Sequence, residues 1–225
     1  MQTPNGFLLI DKPAGMTSFG VVARVRRRFS EQTGKKVKVG HTGTLDPFAT
    51  GLMIIVVGDY CKRAGEFSKM DKSYQATVRL GAASTTGDPE GEITPAPGSH
   101  PTRTQIDAVL PKFTGAIQQT PPIFSAIKIN GQRAYKLARA GKTIEIPART
   151  VTVHSLQITD YNYPELNFTC HVSSGTYIRT LAQDIATALG TSGYTTQLRR
   201  TQVDRWDVKD ALNPETSSIA DLRLL

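Results

Sequence analysis

The chain has 225 residues, enough to bury a sizeable core in one large domain or one domain with a small appendage, and a single domain is the simpler expectation. Its 27 Lys and Arg against 19 Asp and Glu leave a formal charge of +8, which favours a polyanion such as RNA or DNA over a small molecule as partner. The cysteines, Cys61 and Cys170, stand far apart without metal-ligand spacing and read as reduced, buried thiols. Nothing at the start reads as a signal peptide, and no stretch approaches membrane-spanning length, so a cytosolic enzyme or binding protein is expected.

Gly6 to Ile10 is a short apolar run stopped by Asp11-Lys12-Pro13-Ala14-Gly15, the pattern of a buried strand entering a tight turn that delivers Lys12 to a surface. Ser18 is placed to cap a helix in which Phe19, Val22, Val25 and Phe29 recur at helical spacing, with Arg24, Arg27 and Arg28 largely on other faces. Lys38 to Leu52 is a polar loop whose one acid is Asp46, with His41 five residues upstream. Pro47 pushes Asp46 away from the helical region, and the loop glycines permit backbone geometries that other residues resist. An Asp-Pro turn is the plainer local reading; an acid held at a cleft as nucleophile or base is the chemical one.

Met53 to Val57 reads as a strand covered on both sides, and Lys72 to Leu80 alternates to put Tyr74, Ala76, Val78 and Leu80 on one face. The Gly, Pro, Ser and Thr of residues 81–101 predict a surface excursion with little regular structure, and Thr104 with Asp107 predicts a capped short helix through Ile106 and Leu110. After Pro121-Pro122, the alternation of Ile123 to Ile129 predicts a strand with Lys128 exposed. Gln132 to Ala140 interleaves Arg133, Lys136 and Arg139 with Tyr135 and Leu137, and suits either a nucleic-acid backbone or packing as an amphipathic helix on a sheet. Val151–Ile158 and Asn167–Val172 predict paired antiparallel strands joined through residues 161–164. A helix follows with Ile178, Leu181, Ala182, Ile185 and Leu189 inside, ended by Gly190, and a closing strand at Gln197 to Arg200. Arg179 sits in that helix's first turn, where a cation opposes the dipole, a mismatch that a buried carboxylate would offset.

GHTGTLDPFATGL, with GFLLIDKPAGMTS before it and Lys72-Ser73-Tyr74, SAIKINGQRAYKLARAG and SSGTYIRTLAQDIA after it, resembles the bacterial tRNA pseudouridine synthases of the TruB type, which modify uridine 55 in the T loop. The resemblance spans nearly the whole chain, and the block order makes it specific. It implies an α+β fold, a mixed, mainly antiparallel central sheet with flanking helices and an RNA cleft. Residues 1–225 would form one catalytic domain with a thumb-like insertion at about 128–150. It implies that Asp46 is the catalytic aspartate, that Tyr74 stacks on the target base and takes part in proton transfer, and that Arg179 pairs with the aspartate. His41 would fill the space a flipped base leaves and Leu198 would line the uracil pocket. Lys12, Lys128, Tyr135, Lys136, Arg139 and Tyr177 would contact RNA.

The implied reaction breaks a C–N glycosidic bond, turns the uracil and joins its C5 to the sugar. A carboxylate serves it by attack at the sugar or the base, or by assisting elimination. It needs no cofactor and no metal. The expected partner is tRNA, at the T loop and T arm, with no membrane, no obligatory protein partner and a monomeric, cytoplasmic enzyme. Family members commonly add a small C-terminal β domain, whereas about two dozen residues follow Leu198 to Arg200 here, too few for a separate RNA-binding domain. Thr85 stands where relatives often show an acid. A guide-RNA-dependent synthase and an RNA chaperone acting on the tRNA elbow are the competing functions.

Overall fold

Unbroken apolar runs become strands with both faces covered. The structure, a computed structural model, describes residues 4–96, 98–125, 127–129, 131–141 and 145–225; the side chains of Lys128, Tyr135 and Arg139 lie outside the described part. The chain divides into two compact units, residues 1–74 with 198–225, and residues 75–197.

The first unit opens with β1 (Gly6–Lys12), whose Phe7, Leu8, Leu9 and Ile10 are all buried. Its turn leads to α1 (Ser18–Thr33), and here Thr17 is the cap: its hydroxyl accepts from the Gly20 amide, a first-turn donor with no intrahelical partner. The buried stripe is Ser18, Val21, Val22, Val25 and Phe29, so it starts at Ser18 and not at Phe19 as the spacing predicts. Phe19 lies about 100° round the helix from Ser18. It is 65% exposed, with the Arg26 guanidinium 5.8 Å from its ring centroid.

β2 (Val39–His41) and β3 (Thr50–Val57) follow, and every residue of β3 from Gly51 onward is buried. β1 pairs antiparallel along one edge of β3, Leu8 opposite Ile55, while β2 covers the other edge with His41 opposite the same residue. A short helix α2 (Ala64–Ser68) then buries Phe67 in this unit's core.

β4 (Lys72–Leu80) runs from the first unit into the second, burying Tyr74, Ala76, Val78 and Leu80 at alternate positions as predicted, and Lys72 as well. In the stretch expected to be irregular, β5 (Ala82–Ser84) and β6 (Ile93–Pro95) form a small antiparallel hairpin. The residues that signal a loop there build its turn by side-chain to backbone bonds: the Ser84 hydroxyl donates to the Asp88 carbonyl at 2.6 Å, and the Glu90 amide to the Asp88 carboxylate at 3.0 Å. α3 (Arg103–Val109) is capped by Thr102, with Gln105 completing the capping box, two residues before the predicted pair. Ile106 is its buried residue, as expected.

β7 (Gly115–Gln119) comes next, and the strand predicted over Ile123–Ile129 shrinks to β8 (Lys128–Ile129), paired with β9 (Gln132–Arg133). Pro121 and Pro122 carry no amide hydrogen and so offer no donor to a ladder. The basic helix is α4 (Ala134–Arg139). β10 (Arg149–Asn162) and β11 (Glu165–Val172) form the expected antiparallel pair, longer than predicted because Tyr161 and Asn162 stay in the ladder opposite Leu166 and Glu165. β7 pairs along β10, Ile117 opposite Val151. α5 (Ile178–Ala188) buries Ile178, Leu181, Ala182 and Ile185, as its spacing predicts.

β12 (Gly193–Val203) returns to the first unit, where Arg199 and Arg200 pair in parallel with Thr50 and Gly51 of β3. β13 (Trp206–Asp207) folds back on the end of β12. There Trp206 meets Phe7 edge-on at 5.5 Å and Phe67 at 5.4 Å, closing a core with Leu9, Leu52, Ile54 and Val56. The sheet class is mixed and mainly antiparallel, as expected. Among the described residues no helix is long and apolar enough to cross a membrane.

Candidate active site

The loop that carries Asp46 is held at its backbone. Asp46 is half-buried, while Leu45 before it and Ala49 after it are buried. The Lys12 ammonium donates to the carbonyls of Pro47 at 3.1 Å, Met16 at 2.7 Å and Pro13 at 2.9 Å, and the Gly15 amide also donates to the Pro47 carbonyl. Lys12 is 0% exposed, which corrects the expectation of a surface lysine facing RNA. The turn after β1 folds over it, and the ammonium grips three backbone carbonyls, one of them that of Pro47 beside the aspartate. The Ala49 amide closes the loop onto the Asp46 carbonyl at 3.2 Å.

The other end of the loop rests on β12. Arg200, itself buried, donates from Nε to the Leu52 carbonyl at 2.7 Å and from Nη2 to the Gly43 carbonyl at 3.2 Å. Gly51 is needed where these strands meet: its φ is +105°, and a Cβ there would overlap the Arg200 carbonyl. Arg199, the preceding residue on the strand, makes a two-pronged pair with Asp11 at 2.7 and 3.1 Å. Leu198 is buried on the same strand, and His41 sits half-buried on β2.

Tyr74 is buried two residues into β4 from Lys72. The Lys72 ammonium donates to the carbonyls of Ser68, at 2.8 Å, and Met70. Burial first and the Arg200 guanidinium second push its pKa down from 10.5 to about 8, with Asp71 opposing. Between those two values the unfolded chain binds more protons at this position than the folded one, so Lys72's contribution to stability rises as pH climbs from about 8 to 10.5. Lys72→Met is therefore expected to flatten the pH dependence of the urea midpoint across that window; a slope like the parent's would remove Lys72 as its source.

In the second unit, Arg179 has the buried carboxylate partner that its place in the first turn of α5 calls for, and within that unit the partner is Asp88 at 2.9 Å. Both side chains are 4% exposed. Arg179 also donates to the carbonyls of Thr86 at 2.6 Å and Phe124 at 2.8 Å. Asp88 in turn accepts from the Thr86 hydroxyl at 2.5 Å and the Glu90 amide at 3.0 Å, so both its oxygens are engaged. Sequence reasoning missed Asp88, because a Thr-Gly-Asp in a polar stretch reads as a turn and nothing local marks the acid as buried.

Tyr177 precedes α5. Its amide donates to the Gln119 side chain at 2.7 Å, Gln119 donates back to its carbonyl at 3.0 Å, and the Arg149 guanidinium lies 5.3 Å from its ring centroid. Buried Gln119 is the second residue that the sequence reading missed. Lys136 is exposed on α4, as an RNA contact requires; the side chains of Lys128, Tyr135 and Arg139 lie outside the described part. Cys170 is buried, as expected, whereas Cys61 is only half-buried.

Residues 26–178 match the family model for TruB family pseudouridylate synthases, N-terminal domain. The tRNA pseudouridine synthase B of Caulobacter sp. (strain K31) is 44% identical over 94% of this chain and 67% of its own length. That of Phocaeicola vulgatus is 44% identical over 93% of this chain and 90% of its own, and that of Thermobifida fusca 43% over 92% and 72%. Among solved structures, a chain of a Cbf5–Nop10–Gar1 complex superposes with a TM-score of 0.67 at 26% identity over 89% of this chain. A chain of the archaeal box H/ACA Nop10–Cbf5 complex gives 0.67 at 24% identity over 94%, which shows the shared fold. This chain spans about half the length of either.

Proposed function

The chain belongs to the TruB family of pseudouridylate synthases, and from that premise we propose that it isomerises uridine to pseudouridine in tRNA, at uridine 55 of the T loop. The observation that carries the reading is Asp46 itself: a half-buried acid in the block GHTGTLDPFATGL, its loop backbone tied down on both sides. In the reaction the C1′–N1 bond breaks and a C1′–C5 bond forms, while C5 loses its proton and N1 gains one, so atoms and electrons balance without an oxidant. Asp46 is the carboxylate that supports the detached fragment. Tyr74 is the aromatic wall against which the target base stacks once it is flipped out of the loop. Arg179 is the cation of the reaction, and Leu198, His41 and Tyr177 complete the base and RNA contacts.

Residues 1–225 act as one catalytic domain, in the cytoplasm and as a monomer, with the segment at about 128–150 as an RNA-facing thumb. Lys136, exposed, and Arg139 neutralise phosphates there, and Lys128 and Tyr135 belong to the same segment. Lys136→Ala with Arg139→Ala should weaken tRNA binding and lower the slope of log K against log salt by about 0.7–0.9 for each phosphate no longer neutralised. An unchanged slope would count against the thumb. The reading as a whole is tested by incubating the purified protein with an unmodified tRNA transcript and mapping pseudouridine. Product confined to position 55 supports it; tRNA binding without product favours a binding-only chaperone.

A further inference from the structure

Ser18 is expected from sequence to cap α1, and the structure gives that task to Thr17. Ser18 is thereby released for another purpose. It is 4% exposed, and its hydroxyl donates to the Leu45 carbonyl at 2.9 Å while accepting from the Leu45 amide at 2.8 Å. A hydroxyl has one donor and two acceptor positions, so both bonds can be held together. We infer that Ser18 is a positioning residue for catalysis: a two-point latch that holds the peptide units on either side of Leu45, the second of which leads into Asp46, and so aims its carboxylate.

The geometry is specific. Leu45 and Asp46 share a peptide bond, so the Leu45 carbonyl that Ser18 grips belongs to the plane from which the Asp46 backbone departs. On the far side, the Pro47 carbonyl is held by Lys12 and by the Gly15 amide. Asp46 is bracketed, with a backbone clamp on each neighbour and both clamps drawn from the same short stretch, residues 12–18. Elsewhere in α1 the buried positions are apolar, Val21, Val22, Val25 and Phe29. A buried hydroxyl among them has a purpose that an alanine of similar size would not serve.

The latch rests on the proposed synthase reading, and its effect is on turnover, since Ser18 is bonded to the protein's own loop. Ser18→Ala removes both bonds and leaves the buried Leu45 amide and carbonyl without this partner. A loosened carboxylate is expected to lower kcat about tenfold, with KM for tRNA within about twofold. Ser18→Cys is slightly larger and carries a weak donor and acceptor, so it keeps part of the latch and should fall between the two, at about threefold. Val25→Ala, which opens a cavity on the same helix face, is the control for stability alone: it should lower the melting temperature and leave kcat unchanged at assay temperature.

Pseudouridine formation by all four proteins under saturating tRNA decides the matter. A kcat loss in Ser18→Ala, graded through Ser18→Cys and absent in Val25→Ala, is the expected result. An active parent with an unchanged kcat in both Ser18 variants, or with Val25→Ala losing as much as Ser18→Ala, overturns the latch and leaves the synthase reading standing. A parent that makes no pseudouridine overturns the synthase reading, and the catalytic role of Ser18 with it.

Discussion

Arg179→Met is expected to cost about 3–5 kcal/mol of unfolding free energy, the range for breaking a buried ion pair by removing one partner. The size follows from what is left behind. Asp88 would keep the Thr86 hydroxyl and the Glu90 amide but lose the Arg179 cation, in a site that is 4% exposed. The carbonyls of Thr86 and Phe124 would lose the same donor. The double replacement Arg179→Met with Asp88→Leu removes the stranded charge together with its partner, and should recover part of the loss. Denaturant unfolding of the two single variants and the double measures the coupling. Additive losses would mean that the pair contributes little. Turnover should collapse in Arg179→Met with less loss of tRNA affinity, since Arg179 is assigned to the reaction and not to the grip on the RNA.

Much of the fold was legible because its signals are periodic. The alternation from Lys72 to Leu80 gave the buried Tyr74, Ala76, Val78 and Leu80 of β4, though not Lys72 beside them, and the helical spacing of Ile178, Leu181, Ala182 and Ile185 gave the inner face of α5. The unbroken run ending at Val57 became a strand covered on both edges. Misreadings arose where two signals of one kind stood side by side. Thr17 and Ser18 are both good caps; Thr17 takes that place, while the helix packs with Ser18 inward and Phe19 on the surface. The segment at 81–101 has the composition of a loop, yet its serines, threonines and aspartate hydrogen-bond into a hairpin, which only a side-chain inventory in three dimensions reveals.

The candidate site divides in the same way. Asp46 was visible through its block of neighbours, and Arg179 through a local conflict with the helix dipole. Asp88, Gln119 and the second task of Ser18 depend on partners distant in sequence, 91, 58 and 27 residues away, and no local pattern encodes them. Lys12 is the instructive reversal. Asp-Lys-Pro in a turn reads as exposed, whereas three carbonyls folded round the ammonium make it a buried support of the loop. A lysine's place in a turn says little about where its charge ends.

Asp46 is the residue proposed to carry out the isomerisation. Asp46→Asn preserves the volume and the backbone clamps at Leu45 and Pro47 while removing the carboxylate, so folding and tRNA affinity should stay close to the parent's. Pseudouridine at position 55 of an unmodified tRNA transcript, quantified over a single turnover with excess protein, should fall roughly a thousandfold or more, the scale of losing a nucleophile. Product formed by Asp46→Asn at a rate near the parent's would contradict the account.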